Sequence, residues 1–265
     1  MLKDADRIVF KVGTSTLIHD AGRTNIKAFE DIAFVLSDLA ASGRKIVLVS
    51  SGAIGVGICK LGLKERPTDT AEKQAISTIG QCELMFLYDK MFGQYGRNVG
   101  QLLITKADFD HSERRENLLR AIGKLFEFGA VPVVNENDAV AVDEIVYGDN
   151  DSLSAAVAKL ISADALVILT ETAGLYDSNP KINPKAERIP VIHEITDDLQ
   201  NMAEETISGF GTGGMAAKLN AAKTATLAGI DTYVICGKNP RDIYALMDGA
   251  DIGTFFHKAV KKNVD

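Results

Sequence analysis

The segment GTGGMAAK, residues 211–218, combines the residue types that bind a phosphate group. Its glycines allow several backbone N–H groups to point into one concavity, and the helical pattern that follows adds the positive end of a helix dipole. Lys218 adds a full positive charge in the first turn of that helix. The segment matches neither GxxxxGK[ST] nor a GxGxxG after the first strand, so alone it fits a flexible connection equally well.

A second cation lies in the segment RIVFKV, residues 7–12, which is otherwise apolar. Burying the ammonium group of Lys11 is unfavourable unless an anion meets it. The alternative is a lysine at a strand end whose charge reaches solvent. Gly13 comes two residues later and permits close approach of a ligand, so this turn is a second candidate for binding an anion.

Polar residues follow several other predicted strands. Ser51 and Gly52, in the segment SSGA, either cap the next helix or hold a carboxylate through hydroxyl and backbone N–H groups. The motifs NENDAV and GDNDSLSA supply further amides and carboxylates, at Asn135, Asn137, Asp138, Asp149, Asn150 and Asp151. One helix cap needs one such residue, and this surplus favours a ligand site. Thr170 and Glu171 stand at the end of the apolar run ALVILT, residues 165–170.

Short β-branched runs alternate with longer helical patterns, which predicts an α/β fold with a mainly parallel sheet. Strands are predicted at residues 7–12, 45–50, 98–105, 130–137, 165–170 and 232–236. Helices are predicted at residues 25–42, 70–92, 113–128, 152–162 and 215–228. The stretch 171–196 reads as a long irregular loop. In such sheets ligands bind beyond the carboxyl ends of the strands, where all the polar segments above fall.

Composition excludes several classes of protein. The 265 residues are 46% apolar and 25% charged, as in an ordinary globular protein, and the net charge of −7 disfavours a broad nucleic-acid surface. No apolar run is long enough to span a membrane, and we expect a cytoplasmic protein. The cysteines are odd in number and form no CxxC pair, so Cys59, Cys82 and Cys236 are expected to be buried, reduced side chains.

Phosphoryl transfer needs the charges that these segments supply. The transferred group carries negative charge on its equatorial oxygens, so catalysis is mainly positioning and charge neutralisation. Lys11 and Lys218 are expected over one site, with an aspartate between them. A carboxylate acceptor, with a pKa of about 4.3 for a glutamate side chain, is already ionised and needs no general base. The four histidines lie outside every motif: His19, His111, His193 and His257.

The segments KVGTSTL, VSSGAIGVG, NENDAV, GDNDSLSA, GLYDSNP and GTGGMAAK, in this order, resemble the amino-acid kinase family. The resemblance implies a three-layer α/β/α sandwich around a mainly parallel sheet, formed by residues 1–265 as one kinase domain. It also implies phosphorylation of the side-chain carboxylate of L-glutamate by ATP with Mg2+. The product would be glutamyl 5-phosphate, the first intermediate of proline synthesis.

The resemblance also implies roles for individual residues. Lys11 would contact the nucleotide phosphates, Asp151 would organise the lysines, and Lys218 would contact the transferred phosphoryl group. Glutamate would be held by Ser51, Gly52, Asp138 and Asn150. The nucleotide would be held by Lys11, Thr170, Glu171, Thr212, Gly213, Gly214, Met215 and Lys218. No protein-held metal is implied, because magnesium would be carried by ATP.

The chain departs from the family pattern at two positions. The family usually has an aspartate where Glu171 stands and often a hydroxyl residue where Ala217 stands. Many members also carry a C-terminal PUA domain, which is not expected here. The resemblance further implies feedback inhibition by proline, a glutamyl-phosphate reductase as partner, and a homo-oligomer, with no nucleic-acid or membrane partner.

Other readings stay open on the sequence. Another family member would act on N-acetylglutamate, carbamate, aspartate or a nucleoside monophosphate, and Asp138 disfavours an acetylated amine, which has no charge to pair. A non-catalytic nucleotide or amino-acid sensor would not need two lysines and Asp151. An NAD-dependent dehydrogenase would need GxGxxG after its first strand.

Overall fold

The fold is known from a computed structural model, which describes residues 2–19, 22–141, 150–178, 180, 182–205 and 214–259. One sheet runs through the described chain, and its strands in spatial order are β3 Val99–Ile104, β4 Val131–Glu136, β2 Lys45–Ser50, β1 Arg7–Val12, β5 Ala165–Thr170, β7 Asp231–Cys236, β8 Thr254–Phe256 and β6 Val191–Ile192. Neighbouring strands are parallel except for β7 and β8, which are antiparallel. The predicted mainly parallel sheet is therefore confirmed.

The central strands are apolar on both faces and buried on both faces. Their runs of valine, isoleucine and leucine suit this position because β-branched and apolar side chains pack well on a pleated surface.

The helices in the described residues follow the strands or lead back to them. They are α1 Thr14–Leu17, α2 Ile26–Ala41, α3 Ala53–Leu61, α4 Thr70–Gly93, α5 Lys106–Asp110, α6 Ser112–Glu127, α7 Asn150–Leu160, α8 Asp197–Glu205, α9 Met215–Leu227 and α10 Asp242–Met247. A short 3-10 turn, Leu2–Asp4, precedes β1. Helices α1, α3, α7 and α9 begin at the carboxyl end of the sheet and bring their positive ends there.

The helices form a layer on each side of the sheet. On one face, strand residues such as Phe10 and Leu48 pack against α2, α4 and α10. On the other face, strand residues such as Val9 and Val47 pack against α6, α7 and α9. This three-layer α/β/α arrangement is the predicted fold class. Because side chains alternate along a strand, Lys11 shares the face of Val9 and points toward α7 and α9.

The long predicted helices and strands agree with the structure to within two residues at each end. The short elements were not predicted. The stretch 171–196 is less irregular than expected, since it contains β6 and an isolated antiparallel bridge between Tyr176 and Arg188. Strands of two or three residues are too short to show an alternating pattern, so β6 and β8 could not be predicted from the sequence.

The expectation of buried cysteines is wrong. Cys82 is exposed, and Cys59 and Cys236 are half-buried, each with a free thiol. The buried residues of α4 include Gln81 but neither Cys82 nor Glu83. Cys82 therefore lies outside the face of α4 that packs on the sheet. Among the described residues, no helix has both the length and the apolarity of a membrane span.

Candidate active site

Two buried lysines share one buried aspartate at the carboxyl end of the sheet. The Nζ atom of Lys11 lies 2.5 Å from Oδ1 of Asp151, and the Nζ atom of Lys218 lies 3.1 Å from Oδ2. The side chain of Asp151 is fully buried, and those of Lys11 and Lys218 are 5% and 8% exposed. Two buried ammonium groups therefore converge on one place, and such groups donate charge-assisted hydrogen bonds to phosphate and carboxylate oxygens.

Local structure brings these three charges together. Lys11 lies one residue before the end of β1, and Asp151 is the second residue of α7. Lys218 lies in the first turn of α9, which packs beside α7 on the same face of the sheet. The Oγ atom of Ser154 donates a hydrogen bond of 2.6 Å to the backbone oxygen of Asp151 and fixes the start of α7. The lysine inside an apolar strand is thus met by an anion, as its burial requires.

Next to these charges lies a cavity of about 820 Å³. It is lined by the four residues that the family resemblance assigns to the amino-acid substrate: Ser51, Gly52, Asp138 and Asn150. Asn150 and Asp151 are consecutive, so the cavity and the charged group adjoin at the start of α7. Ser51 and Asn150, which lie 99 positions apart in the chain, thus meet at the cavity.

The Asn150 amide holds the inner wall of the cavity together. Its Nδ2 atom lies within hydrogen-bond distance of three acceptors, the backbone oxygen of Ser50 at 2.9 Å, Oγ of Ser51 at 3.0 Å and Oδ1 of Asn135 at 2.9 Å. These contacts join the end of β2, the end of β4 and the start of α7. Since the amide is buried, the contacts fix its position strongly.

The start of α3 adds an anion-binding edge to the cavity. Gly52 has φ of +100°, in the left-handed region that glycine adopts most readily. This turn places Ala53, Ile54 and Gly55 on the cavity wall, at the end of a helix where backbone N–H groups have no partner within the helix. A carboxylate is the natural ligand of such a helix start.

The residues that the family resemblance assigns to the nucleotide lie on the other half of the sheet edge. Thr170 is the last residue of β5 and is buried, whereas Glu171 is exposed. The backbone oxygen of Thr170 accepts a hydrogen bond of 2.6 Å from the N–H of Gly237, which joins the ends of β5 and β7. Gly214 precedes α9, and Met215, its first residue, is half-buried.

Some residues assigned from the sequence lie outside the described part of the chain. Thr212 and Gly213 of the glycine-rich segment are among them, as is Asp149 of the motif GDNDSLSA. Ala217, where the family often has a hydroxyl residue, is described and half-buried in the first turn of α9.

Sequence reasoning missed the outer wall of the cavity. That wall comes from the α3–α4 connection and the first turn of α4, through Arg66, Pro67, Thr68, Lys73 and Gln74. The α3–α4 connection has the composition of an ordinary helix start. Asp69 does cap α4, since its carboxylate accepts a hydrogen bond of 3.0 Å from the N–H of Glu72. Thr14 and Glu136 also line the cavity.

No group of three or more histidine, cysteine, aspartate or glutamate side chains converges as a metal site among the described residues. The carboxylate at the centre of the site, Asp151, is instead engaged by the two lysines through both of its oxygens. The donors in this place are ammonium and amide groups, which bind phosphate and carboxylate oxygens.

Family comparison agrees with this geometry. The model of the amino acid kinase family matches residues 6–236, a range that includes every element of the site. The chain belongs to the amino acid kinase family.

Curated relatives match over almost their whole length. The chain is 45% identical to "Glutamate 5-kinase" of Clostridium perfringens, with 96% of each chain covered. It is 48% identical to "Glutamate 5-kinase" of Listeria monocytogenes, covering 96% of this chain and 94% of the relative. It is 46% identical to "Glutamate 5-kinase" of Lactococcus lactis, with 95% of each chain covered.

Among solved structures, UMP kinase from Bacillus anthracis has the same fold. Its TM-score is 0.62 over 97% of each chain, at 17% sequence identity. This similarity concerns the fold.

Proposed function

We propose that this protein is a glutamate 5-kinase, which transfers the γ-phosphoryl group of ATP to the side-chain carboxylate of L-glutamate. The observation that carries the proposal is the pair of buried lysines on Asp151, adjoining a cavity lined by Ser51, Asp138 and Asn150. Curated relatives of that name, 45–48% identical over 96% of this chain, support it.

The chemistry follows from the charges. A carboxylate oxygen of glutamate attacks the γ-phosphorus, a new P–O bond forms, and the bond to the bridging oxygen of ADP breaks. Negative charge on the transferred group and on the leaving oxygen is neutralised by Lys218 and Lys11. Because the acceptor is already ionised at neutral pH, no side chain has to remove a proton. Asp151 keeps the two ammonium groups apart and in place.

The cavity accounts for the rest of the acceptor. Asp138 suits the ammonium group of free glutamate, since an opposite charge within a cavity of low dielectric is favourable. The backbone N–H groups at the start of α3 and the hydroxyl of Ser51 suit a carboxylate. An acetylated amine carries no charge for Asp138 to pair, and this contrast distinguishes free glutamate from N-acetylglutamate.

On the nucleotide side, we assign the phosphates to Lys11, Lys218 and the turn that includes Gly214 and Met215. Thr170 and Glu171 would contact the remainder of ATP. Magnesium would enter with ATP, since both oxygens of Asp151 are occupied by lysines. When bound, Mg2+ supplies further neutralisation of the phosphate charge.

Further parts of the proposal rest on the family resemblance. The chain forms one kinase domain, works in the cytoplasm as a homo-oligomer, and supplies glutamyl 5-phosphate for proline synthesis. A reductase of glutamyl phosphate consumes the product, and proline inhibits the enzyme.

A panel of acceptors tests the proposal. Initial rates of ADP formation from Mg-ATP are measured with L-glutamate, N-acetyl-L-glutamate, L-aspartate, carbamate and UMP. We expect glutamate to be preferred by at least about 10²-fold in kcat/KM, because a site built around a charged pair rejects an analogue that leaves a buried polar group unpaired. Preference for any other acceptor would overturn the assignment.

The variant Asp138→Ala tests the amino-acid anchor separately. Loss of its carboxylate should raise the KM for glutamate by about tenfold or more, while the KM for ATP stays within about twofold. The matched control is Asp89→Ala, which removes an exposed carboxylate on α4. Equal increases in both KM values would exclude Asp138 as the anchor.

A further inference from the structure

Helix α4 runs from the outer wall of the cavity to its underside. Gln74 lines the cavity, and Gln81 and Tyr88 follow at intervals of seven residues, which places the three on one side of the helix. Gln81 and Tyr88 are 8% and 0% exposed. Neither belongs to a motif that the sequence singled out, and both make buried hydrogen bonds to the framework of the site.

The first contact joins Gln81 to the end of β4. Nδ2 of Asn135 donates a hydrogen bond of 2.7 Å to Oε1 of Gln81. The other end of the same amide, Oδ1 of Asn135, accepts hydrogen bonds of 2.9 Å from Nδ2 of Asn150 and 2.9 Å from the N–H of Glu136. Gln81 therefore determines which way the Asn135 amide points.

The orientation of that amide matters for the cavity. If Asn135 rotated by half a turn, its NH2 group would face the NH2 group of Asn150, and two donors would oppose each other. The oxygen acceptor of Gln81 disfavours this rotation, because the donor of Asn135 would lose its buried partner. Among the described residues, Nε2 of Gln81 has no hydrogen-bond partner, so the contact depends on the oxygen atom alone.

The second contact joins Tyr88 to the end of β2. The Tyr88 hydroxyl lies 2.9 Å from Oγ of Ser50, and Oγ of Ser50 lies 2.9 Å from the backbone oxygen of Ser51, to which it donates. The single hydroxyl proton of Ser50 is used in the bond to Ser51, so Tyr88 is the donor in its contact with Ser50. Burial raises the pKa of the Tyr88 hydroxyl far above its usual value, so it stays a neutral donor. The backbone oxygen of Ser50 also accepts from Asn150.

We propose that Gln81 and Tyr88 are positioning residues of the acceptor site, acting through Asn135 and Ser50 on the Asn150 amide. Neither touches the substrate. They fix the inner wall of the cavity from α4, and so determine affinity for the amino acid without affecting the nucleotide side. The inference rests on the proposed function, because it treats this cavity as the glutamate site.

The variant Gln81→Met keeps the length of the side chain and removes its oxygen acceptor. We expect the KM for glutamate to rise by about five- to tenfold, as for the loss of one buried hydrogen bond, with the KM for ATP within about twofold. The glutamate side chain of Gln81→Glu has an acceptor oxygen whether or not its carboxyl group is protonated. This variant should therefore keep most of the affinity for the substrate that Gln81→Met loses. Gln94→Met, on the exposed end of α4, is the control and should match the parent protein.

The variant Tyr88→Phe is a second test of the inference, since phenylalanine fills the same space in the core and lacks only the hydroxyl group. It should also raise the KM for glutamate selectively, whereas Tyr244→Phe, which removes a surface hydrogen bond to Asp38, should not. If Gln81→Met fails to fold, the Tyr88→Phe and Gln81→Glu results still decide the matter.

The outcomes separate positioning from stability and from the proposed function. A merely structural role would lower the melting temperature and the active fraction, hence kcat, and leave both KM values unchanged. That result for Gln81→Met and Tyr88→Phe would overturn the inference. Absence of glutamate-dependent activity in the parent protein would instead overturn the proposed function, before any variant is compared.

Discussion

At the scale of single residues, Asp151 decides whether the two lysines can be buried together. Its carboxylate contacts both ammonium groups and is itself fully buried. Taking such charges out of water is unfavourable unless each is paired.

Replacing Asp151 by asparagine keeps the shape and removes the charge. Two buried ammonium groups then face each other, and we expect the free energy of unfolding to fall by about 3 kcal/mol. Urea titration with circular dichroism measures this change. The control is Asp197→Asn, because the Asp197 carboxylate is 94% exposed and lies 3.9 Å from Lys223. Loss of this surface pair should leave the free energy of unfolding unchanged. Equal effects of the two substitutions would contradict the burial argument.

Lys218 is the residue assigned to the transferred phosphoryl group. Lys218→Ala should lower kcat by about 10²-fold or more, as for the loss of one donor to a charged transition state, while ATP still binds. The comparison is Lys223→Ala on the same helix, whose Nζ atom donates a hydrogen bond of 2.6 Å to Oε1 of Gln200. A coupled assay with saturating substrates measures kcat, and a near-normal value for Lys218→Ala would refute the assignment.

The sequence reveals some residues of the site better than others. Lys11 stands out because a charge inside an apolar strand needs an explanation, and Asp138, Asn150 and Asp151 stand out because they exceed what helix caps require. Gln81 and Tyr88 do not stand out. A glutamine or tyrosine within a helix is unremarkable until tertiary structure shows that it is buried and which group it meets.

At the scale of elements, the contact between α3 and α4 fixes the cavity. A Cβ atom at Gly80 would lie 1.7 Å from the backbone oxygen of Ala53 and 2.5 Å from the backbone N of Gly57. The two helices thus approach at backbone distance. Since Ala53 lies on the cavity wall and α4 carries Gln74, this approach sets the width of the cavity.

Gly80→Ala should therefore push the helices apart. We expect a loss of about 3 kcal/mol in the free energy of unfolding, at the upper end of overpacking effects, together with a higher KM for glutamate. Gly93→Ala, in the same helix with no atom near the added Cβ, should be neutral or slightly stabilising because alanine favours helix. Urea unfolding of the two variants makes the comparison, and equal stabilities would contradict the close approach.

Elements with a strong pattern were predictable. The central strands are apolar on both faces, and α2 is capped by Asn25, whose side chain accepts a hydrogen bond of 3.2 Å from the N–H of Ala28. The antiparallel pairing of β8 with β7 and the parallel pairing of β6 with β8 at the edge of the sheet were not predictable. Those strands are too short for periodicity, and tertiary contacts alone define them.

At the scale of the whole molecule, one buried carboxylate joins distant parts of the chain. Asp31 on α2 accepts a hydrogen bond of 2.6 Å from Nε of Arg241, which precedes α10, and one of 3.1 Å from Lys27. Burial by itself would raise the pKa of Asp31, but the bonds from Arg241 and Lys27 outweigh it and lower the pKa below its ordinary value.

This shift gives stability a predictable pH dependence. Because the pKa is lower in the folded protein, the unfolded chain binds more protons, and the stabilisation is present above the unfolded pKa of about 3.9 and lost as pH falls through the folded pKa. The gap in unfolding free energy between the parent protein and Asp31→Asn should therefore narrow below about pH 4. Urea titrations at several pH values test this, and a constant gap would contradict it.

As a glutamate 5-kinase, this protein would convert the side-chain carboxylate of glutamate into an acyl phosphate. Hydroxylamine attacks the carbonyl carbon of an acyl phosphate and releases phosphate, so the product can be trapped as a hydroxamate. With L-glutamate and Mg-ATP, we predict γ-glutamyl hydroxamate in the same amount as ADP, and loss of both in Lys218→Ala but not in Lys223→Ala. Formation of ADP without hydroxamate would exclude glutamate as the phosphoryl acceptor. Hydroxamate in undiminished amount from Lys218→Ala would exclude the role of Lys218 in the transfer.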